Sequence, residues 1–223
     1  MLVWVASFPR SGNNLCLLTL RRVFGATTGS VLDPDPLISR LSLDPVVDLR
    51  AAVRERDDRV FLKTHRLPRP DDSDPAIYLV RDGRDSLVSF AHFMKAQGEP
   101  PFRSLSFEEA LAALIEREDH PYGSWSANVR SWTRRAAATK IVRFERLIED
   151  PVETVREAVA SFGISLPEQR GRLPTFDELH ERNPKIFRRG KVGSWRSEFP
   201  ARLEERFWEL HGAEMEALGY PRA

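Results

Sequence analysis

Residues 3–15 read VWVASFPRSGNNL. An apolar run typical of a β-strand is followed by a tight turn with Pro9 and Gly12, and a helical pattern extends over about residues 13–24. The first N–H groups of a helix have no partners inside it and lie at the positive end of its dipole. This strand–turn–helix unit therefore indicates an anion-binding loop, to which Arg10 adds a cation.

The turn differs from the Walker A loop of nucleotide-binding enzymes. No glycine precedes it at the required spacing, and no lysine followed by serine or threonine comes after Gly12. On this stretch alone, an anion site and an ordinary strand–turn–helix unit without a ligand both remain open.

Length and charge limit the kind of protein. A chain of 223 residues predicts a single domain over residues 1–223. Its 34 Lys and Arg residues nearly balance 33 Asp and Glu residues, which argues against a general attraction to nucleic acid or an anionic membrane. No apolar run approaches the ~20 residues that span a bilayer. We therefore expect neither nucleic acid nor membrane as a partner.

The single cysteine and the first strand indicate a cytoplasmic protein. Cys16 cannot form an internal disulfide, and it falls in the apolar pattern of the first helix, as a buried small residue does. The strand pattern follows Met1 directly, without the basic head and longer apolar stretch of a signal peptide.

Three more runs have the pattern of strands, at residues 59–65, 76–80 and 139–145. Residues 25–30 are interpreted as a break, and residues 37–57 as short helical pieces. Because helical patterns separate the strands, we expect an α/β fold with a parallel sheet covered by helices. Those helices are predicted at about residues 86–96, 106–119, 125–138, 152–162, 175–183 and 200–218.

Polar residues follow the predicted strands. Lys63 and His65 end the second strand on one face of it, and Arg81 ends the third. Ligands of open α/β sheets bind beyond the carboxyl ends of the strands, so these residues should lie beside the first loop. Asp85 is predicted to cap the helix that begins at Ser86.

Four segments in this order resemble the cytosolic-type sulfotransferases. They are SFPRSG at 7–12, LKTH at 62–65, YLVRDGRD at 78–85 with Ser89 beyond it, and FRRGKVGSW at 187–195. The resemblance extends over residues 2–220. It implies a P-loop NTPase-like parallel sheet with helices on both faces. It also implies a transferase that moves the sulfuryl group of 3′-phosphoadenosine-5′-phosphosulfate (PAPS) to a small-molecule acceptor, releasing 3′-phosphoadenosine-5′-phosphate (PAP).

The resemblance implies a role for each matching residue on the donor side. The first loop would hold the 5′-phosphosulfate through Arg10, Ser11, Gly12, Asn13 and Asn14. The 3′-phosphate would be bound by Arg81 and Ser89 under the loop of Arg188, Arg189 and Gly190, and adenine by Phe144 and Phe176.

The first loop departs from the family pattern. Most members have lysine at Arg10, and many have two threonines at Asn13 and Asn14 and an aromatic residue at Leu15. Arginine keeps the charge and asparagine can still donate hydrogen bonds, so the loop retains its chemistry in altered form. The alternative interpretations remain open: Arg81 as an ordinary ion-pair partner of Asp82 or Asp85, and Phe176 as a core residue.

The matching catalytic residues suit an in-line transfer. His65 would remove the proton of the acceptor hydroxyl, with an amine as the second choice of acceptor. Lys63 and Arg10 would stabilise charge on the leaving phosphate oxygen. The sequence shows no spacing typical of metal ligands, and no metal ion is expected in the site. The alternative functions are a nucleotide-dependent P-loop kinase and a non-catalytic nucleotide-binding protein.

The acceptor is not specified by these motifs. Residues 95–125 are the candidate acceptor-binding lid, and Trp125 is the tryptophan of most interest there. Residues 191–193 lie near a region that mediates dimers in some relatives, which leaves a homodimer open.

Overall fold

A computed structural model describes residues 1–30, 58–98 and 100–222. Five strands in this part of the chain form one parallel sheet in the order β2-β3-β1-β4-β5. They are β1 (Leu2–Ser7), β2 (Thr27–Ser30), β3 (Val60–Thr64), β4 (Ala76–Val80) and β5 (Thr139–Arg143). The central strand, β1, pairs with β3 on one side and β4 on the other.

The helices lie between and after the strands. They are α1 (Asn13–Leu18), continued by a π-helical turn (Thr19–Val23), then α2 (Gly83–Gln97), α3 (Phe107–Ile115), α4 (Trp125–Thr133), α5 (Phe144–Glu149), α6 (Pro151–Ala160), α7 (Phe176–Arg182) and α8 (Ala201–Ala217), with a 3₁₀ turn (Ser194–Ser197) before α8. In α3, Ser106 and Glu109 form the reciprocal capping box that their spacing predicts.

Both faces of the central part of the sheet are buried. Trp4 of β1 points into a core formed with α2, α3, α4 and α8, whereas Val3 and Val5 point into a second core formed with α1 and α6. A strand buried on both faces has a continuous apolar sequence, as β1 does. The predicted fold class, a parallel sheet with helices on both faces, is confirmed.

Cys16 is buried in the second core, where burial raises the pKa of its thiol to about 12.

Three local predictions are wrong. The strand predicted over 139–145 ends at Arg143, and Phe144 and Glu145 begin α5 instead. Residues 27–30, interpreted as part of a break, form β2, because backbone pairing with β3 makes a strand of a polar sequence that lacks an apolar pattern. Helix α2 begins at Gly83, and Asp82 rather than Asp85 is its N-cap, since the Asp82 side chain accepts a hydrogen bond from the N–H of Arg84. The short helical pieces predicted over 37–57 lie outside the described residues.

Candidate active site

A cavity of about 730 Å³ opens beyond the carboxyl ends of β1, β3 and β4. Nearly all of the residues predicted for the site line it. They are Arg10, Gly12, Asn13, Asn14, Lys63, His65, Arg81, Ser89, Phe144, Phe176, Arg188, Arg189 and Gly190. Ser11 is the exception, because its buried hydroxyl lies 3.3 Å from that of Ser86 in α2.

The loop after β1 turns sharply at two residues. Arg10 and Gly12 have positive φ angles of 70° and 102°. A Cβ on Gly12 would lie 2.9 Å from a ring carbon of Phe144, so only glycine fits. Asn13 fixes the loop to the strand ends, since its Nδ2 donates to the Ser7 hydroxyl at 3.1 Å and to the Thr64 carbonyl at 3.3 Å.

Lys63 is held at this loop. Its ammonium group donates to the Oδ1 of Asn14 at 2.7 Å. The cation at the end of β3 is thereby placed beside the first turn of α1, which fits charge stabilisation on a bound phosphate.

The Arg10 side chain crosses the cavity. Its Nε donates to the Ser89 hydroxyl at 3.1 Å, and a terminal nitrogen donates to the Ile186 carbonyl at 2.5 Å. Burial, together with the charges of Arg81 and Arg188, lowers the pKa of Arg10 to about 10, so it remains a cation at neutral pH. Arg10 therefore belongs to the first loop through its backbone and reaches the predicted 3′-phosphate side through its guanidinium.

Arg81 connects the first loop with the C-terminal loop at 187–195. It donates to the carbonyl of Arg10 at 3.1 Å and to that of Lys191 at 2.9 Å. Its guanidinium lies 4.2 Å from the ring centroid of Phe144 and 3.7 Å from the Asp85 carboxylate. The alternative interpretation, an ion pair with Asp85, is thus also present in the structure.

Asp85 anchors the loop 187–195, a role that its assignment as an N-cap did not predict. Its carboxylate accepts hydrogen bonds from the N–H of Gly193 at 2.7 Å, the N–H of Trp195 at 2.9 Å and the Ser194 hydroxyl at 3.0 Å. Because these partners are more than a hundred residues away, no local pattern could have identified them.

The two loop arginines share one carboxylate. Glu198 accepts from Arg188 at 3.2 Å and from Arg189 at 2.6 Å, and His92 of α2 lies 2.6 Å from its other oxygen. The ring of Phe176 packs against Gly190, whose φ of 60° and close approach exclude a side chain. Phe176 is 39% exposed, so it is not a core residue.

His65 is oriented by the end of β1. Its Nδ1 lies 2.8 Å from the Ser7 carbonyl, an acceptor, so Nδ1 carries the proton and Nε2 is left as an acceptor. Burial, reinforced by the charge of Lys63, lowers the pKa of His65 to about 3. The imidazole is therefore neutral and able to take a proton at Nε2.

The rest of the cavity is more apolar. Phe90, Phe93 and Met94 of α2 line it together with His120 and Tyr122. The rings of Phe90 and Tyr122 meet edge to face with centroids 5.8 Å apart. His120 and Tyr122 belong to the candidate lid at 95–125. The apolar residues that follow Ser89 at helical spacing were a signal that sequence reasoning missed.

Trp125 does not contribute to the cavity wall. It is buried in the core against Gly83 and Phe207. Among the residues described, no group of three or more His, Cys, Asp and Glu side chains could hold a metal ion. In the same part of the chain, no helix has the length and apolarity needed to cross a bilayer.

Comparison with known proteins identifies the family. The sulfotransferase domain family matches residues 2–219. Mouse sulfotransferase 1E1 is 21% identical over 95% of this chain and 82% of its own length, and sulfotransferase 6B1 of Danio rerio is 24% identical over 95% and 77%. The chain therefore belongs to the sulfotransferase family, and the predicted enzyme class is confirmed.

Solved structures share the fold. Mouse sulfotransferase SULT7A1 complexed with PAP aligns with a TM-score of 0.65 at 18% identity, covering 96% of this chain and 84% of that one. Retinol dehydratase in complex with androsterone and the inactive cofactor PAP aligns with a TM-score of 0.63 at 17% identity, covering 96% and 80%. Both of those complexes contain PAP, the product that the predicted donor PAPS would leave.

Proposed function

We propose that this protein transfers the sulfuryl group of PAPS to a hydroxyl, or less readily an amine, of a small molecule. One observation carries the proposal: His65, with Nε2 unprotonated, and Lys63 line the same cavity as the anion loop. A base, a cation and an anion cradle in one cavity are the groups that sulfuryl transfer to a hydroxyl requires.

The residues of the cavity fit the two charged ends of the donor. Gly12, Asn14 and Lys63 would hold the 5′-phosphosulfate, with Asn13 keeping their loop in place. Arg81, Ser89 and the loop arginines would hold the 3′-phosphate. Burial lowers the pKa of Arg10, and the guanidinium groups of Arg81 and Arg188 lie close enough to lower it further. Such a cluster of three cations favours a multiply charged anion.

The proposed step is an in-line displacement at sulfur. A bond from the acceptor oxygen to sulfur forms while the bond from sulfur to the phosphate oxygen breaks, and PAP leaves. The acceptor proton passes to Nε2 of His65, while the Ser7 carbonyl keeps the other nitrogen protonated. Lys63 and the N–H groups at the start of α1 stabilise charge on the leaving oxygen. The Arg10 guanidinium, predicted from the sequence to share this role, is bonded to Ser89 and would instead serve the 3′-phosphate.

Transfer from radiolabelled PAPS to a panel of phenols, alcohols and amines tests the proposal. We expect His65→Asn to lower kcat by about 10²-fold or more, since a positioned base contributes about 10²–10⁴-fold. PAP binding, measured by calorimetry, should stay within threefold and serves as the control for folding. A His65→Asn variant with wild-type kcat would disprove the assignment of the base.

The location in the cytoplasm, the homodimer and the single-domain organisation over residues 1–223 remain predictions. Gel filtration with light scattering would test the homodimer.

A further inference from the structure

Asn128 of α4 joins two segments that line the cavity. Its Nδ2 donates one hydrogen bond to the carbonyl of His65 at 2.9 Å and another to the carbonyl of Tyr122 at 2.9 Å. His65 carries the proposed base, and Tyr122 belongs to the apolar wall. The acceptor would bind between His65 and Tyr122. The buried amide of Asn128 is thus hydrogen-bonded to the backbone of both residues.

The same two segments also contact each other directly. The N–H of Leu67 donates to the carbonyl of Pro121 at 3.1 Å. The chain after β3 and the turn before α4 are therefore linked at two places, once through backbone atoms and once through Asn128. Backbone groups bonded in this way move together.

The two carbonyls fix which way the amide faces, and Tyr78 of β4 bonds to its other end. Its hydroxyl donates to the Oδ1 of Asn128 at 3.0 Å, and its ring stacks on Trp132 with centroids 6.2 Å apart. Because two carbonyls lie near one end of the amide and both can only accept, that end must be the NH₂ group. Both N–H groups of Asn128 therefore donate hydrogen bonds to the two segments.

We propose that Asn128 is a positioning residue that sets the separation between the base and the acceptor wall. Asn128 does not line the cavity itself, so it acts through His65 and Tyr122. The inference rests on the proposed function of His65. It implies that base and acceptor wall form one rigid unit, which the bond from His65 to the Ser7 carbonyl and the bond from Asn13 to the Thr64 carbonyl connect to the first loop.

The variant Asn128→Asp tests this directly. It keeps the shape of the side chain and an acceptor for Tyr78, but it replaces the donors to both carbonyls. We expect kcat to fall about tenfold or more and the acceptor KM to rise, with the Kd of PAP within twofold of wild type. The amide of Leu67 should exchange with deuterium at least tenfold faster.

Tyr78→Phe is the matched control. It removes the third hydrogen bond of Asn128 and leaves both carbonyl bonds in place, so kcat, acceptor KM and Leu67 exchange should stay within threefold of wild type. If Asn128→Asp does not fold, the double variant Asn128→Leu/Tyr78→Phe supplies an apolar replacement with the same expected losses.

The outcomes separate this inference from the proposed function. If Asn128→Asp keeps wild-type kcat, acceptor KM and Leu67 exchange, Asn128 is not a positioning residue, although the His65→Asn result can still support the proposed function. Equal losses in Tyr78→Phe would also overturn it, by showing general loosening of the core. If wild-type protein sulfonates no member of the panel, the proposed function fails, and Leu67 exchange alone then decides whether Asn128 couples the segments.

Discussion

His65 combines a neutral imidazole with a half-buried position. Its Nδ1 proton is fixed by the Ser7 carbonyl, so Nε2 is the nitrogen that can accept. The depressed pKa also has a cost, because the unfolded chain binds a proton near pH 6.5 that the folded chain does not. The base that the reaction needs is therefore a source of acid instability.

We predict that this instability can be measured through His65→Asn. Below pH 6.5 the unfolded state gains a proton and the folded state does not until the pH nears 3, so stability falls as the pH is lowered through this window. The free energy of unfolding, measured by urea denaturation, should fall between pH 7.5 and pH 5.5 in both proteins. The fall should be about 1.4 kcal/mol smaller in the variant than in wild type.

His211 provides a comparison for this measurement. Burial lowers its pKa to about 4, so His211→Asn should reduce the acid loss in the same direction, and the double variant should add the two effects. An unchanged pH slope in His65→Asn would show that the imidazole takes up its proton at the same pH in the folded protein as in the unfolded chain.

The sequence predicted residues whose positions follow from a local pattern. Lys63 and His65 are two residues apart at a strand end, so the alternation of side chains along a strand is enough to place them on a common side. Asn128 and the loop-anchoring role of Asp85 could not be deduced, because their site partners lie 63 and about 110 residues away. The contact of Arg10 with Ser89 has the same long-range origin.

At the scale of elements, the turn between β1 and α1 is the most constrained. Gly12 combines a φ of 102° with a ring carbon of Phe144 where a Cβ would lie. Gly25, beyond the following π-helical turn, also has a positive φ, of 67°, but nothing lies within 4 Å of a Cβ there. Substitution of Gly25 therefore costs only the strain of a positive φ, whereas substitution of Gly12 costs that strain and a steric clash as well.

We predict that Gly12→Ala weakens PAP binding at least tenfold and destabilises the protein more than Gly25→Ala does. Both variants lose about 1–2 kcal/mol from a side chain at positive φ, but only the first must also displace Phe144 and distort the loop. Calorimetry with PAP and urea denaturation would measure the two effects. Equal loss of PAP affinity in both variants would contradict a phosphate cradle at Gly12.

Helices and strands could be predicted where a local pattern of side chains, such as an apolar run or a capping box, indicates them. The buried strands β1, β3 and β4 have apolar runs, and α3 and α7 have capping boxes. Strand β2 has neither signal, since its polar residues become a strand only through hydrogen bonds to β3. Strand β2 forms because it pairs with β3, a strand distant in the sequence, and a local sequence pattern does not reveal that pairing.

At the scale of the whole molecule, nucleotide preference distinguishes a sulfotransferase from a P-loop kinase. We predict that PAP without metal raises the melting temperature by about 5–10 °C at a hundred times its Kd, because such occupancy adds ~2.7 kcal/mol of stability. ATP with Mg²⁺ should raise it less at equal concentration, since it lacks a 3′-phosphate for the arginines.

Adenosine 5′-monophosphate is the control for this comparison. It keeps the adenine and 5′-phosphate of PAP, so the difference between the two shifts measures the contribution of the 3′-phosphate. A larger shift with ATP and Mg²⁺ than with PAP would favour the kinase alternative.

The central place of β1 has a consequence for how the chain folds. Leu2 pairs with Val60 and Trp4 with Ala76, so the middle strand is synthesised well before either of its neighbours. Such distant pairing gives slow folding, and until it is complete an apolar strand with two open edges is available to other chains. The segment that later supports the anion loop is therefore exposed to aggregation during synthesis.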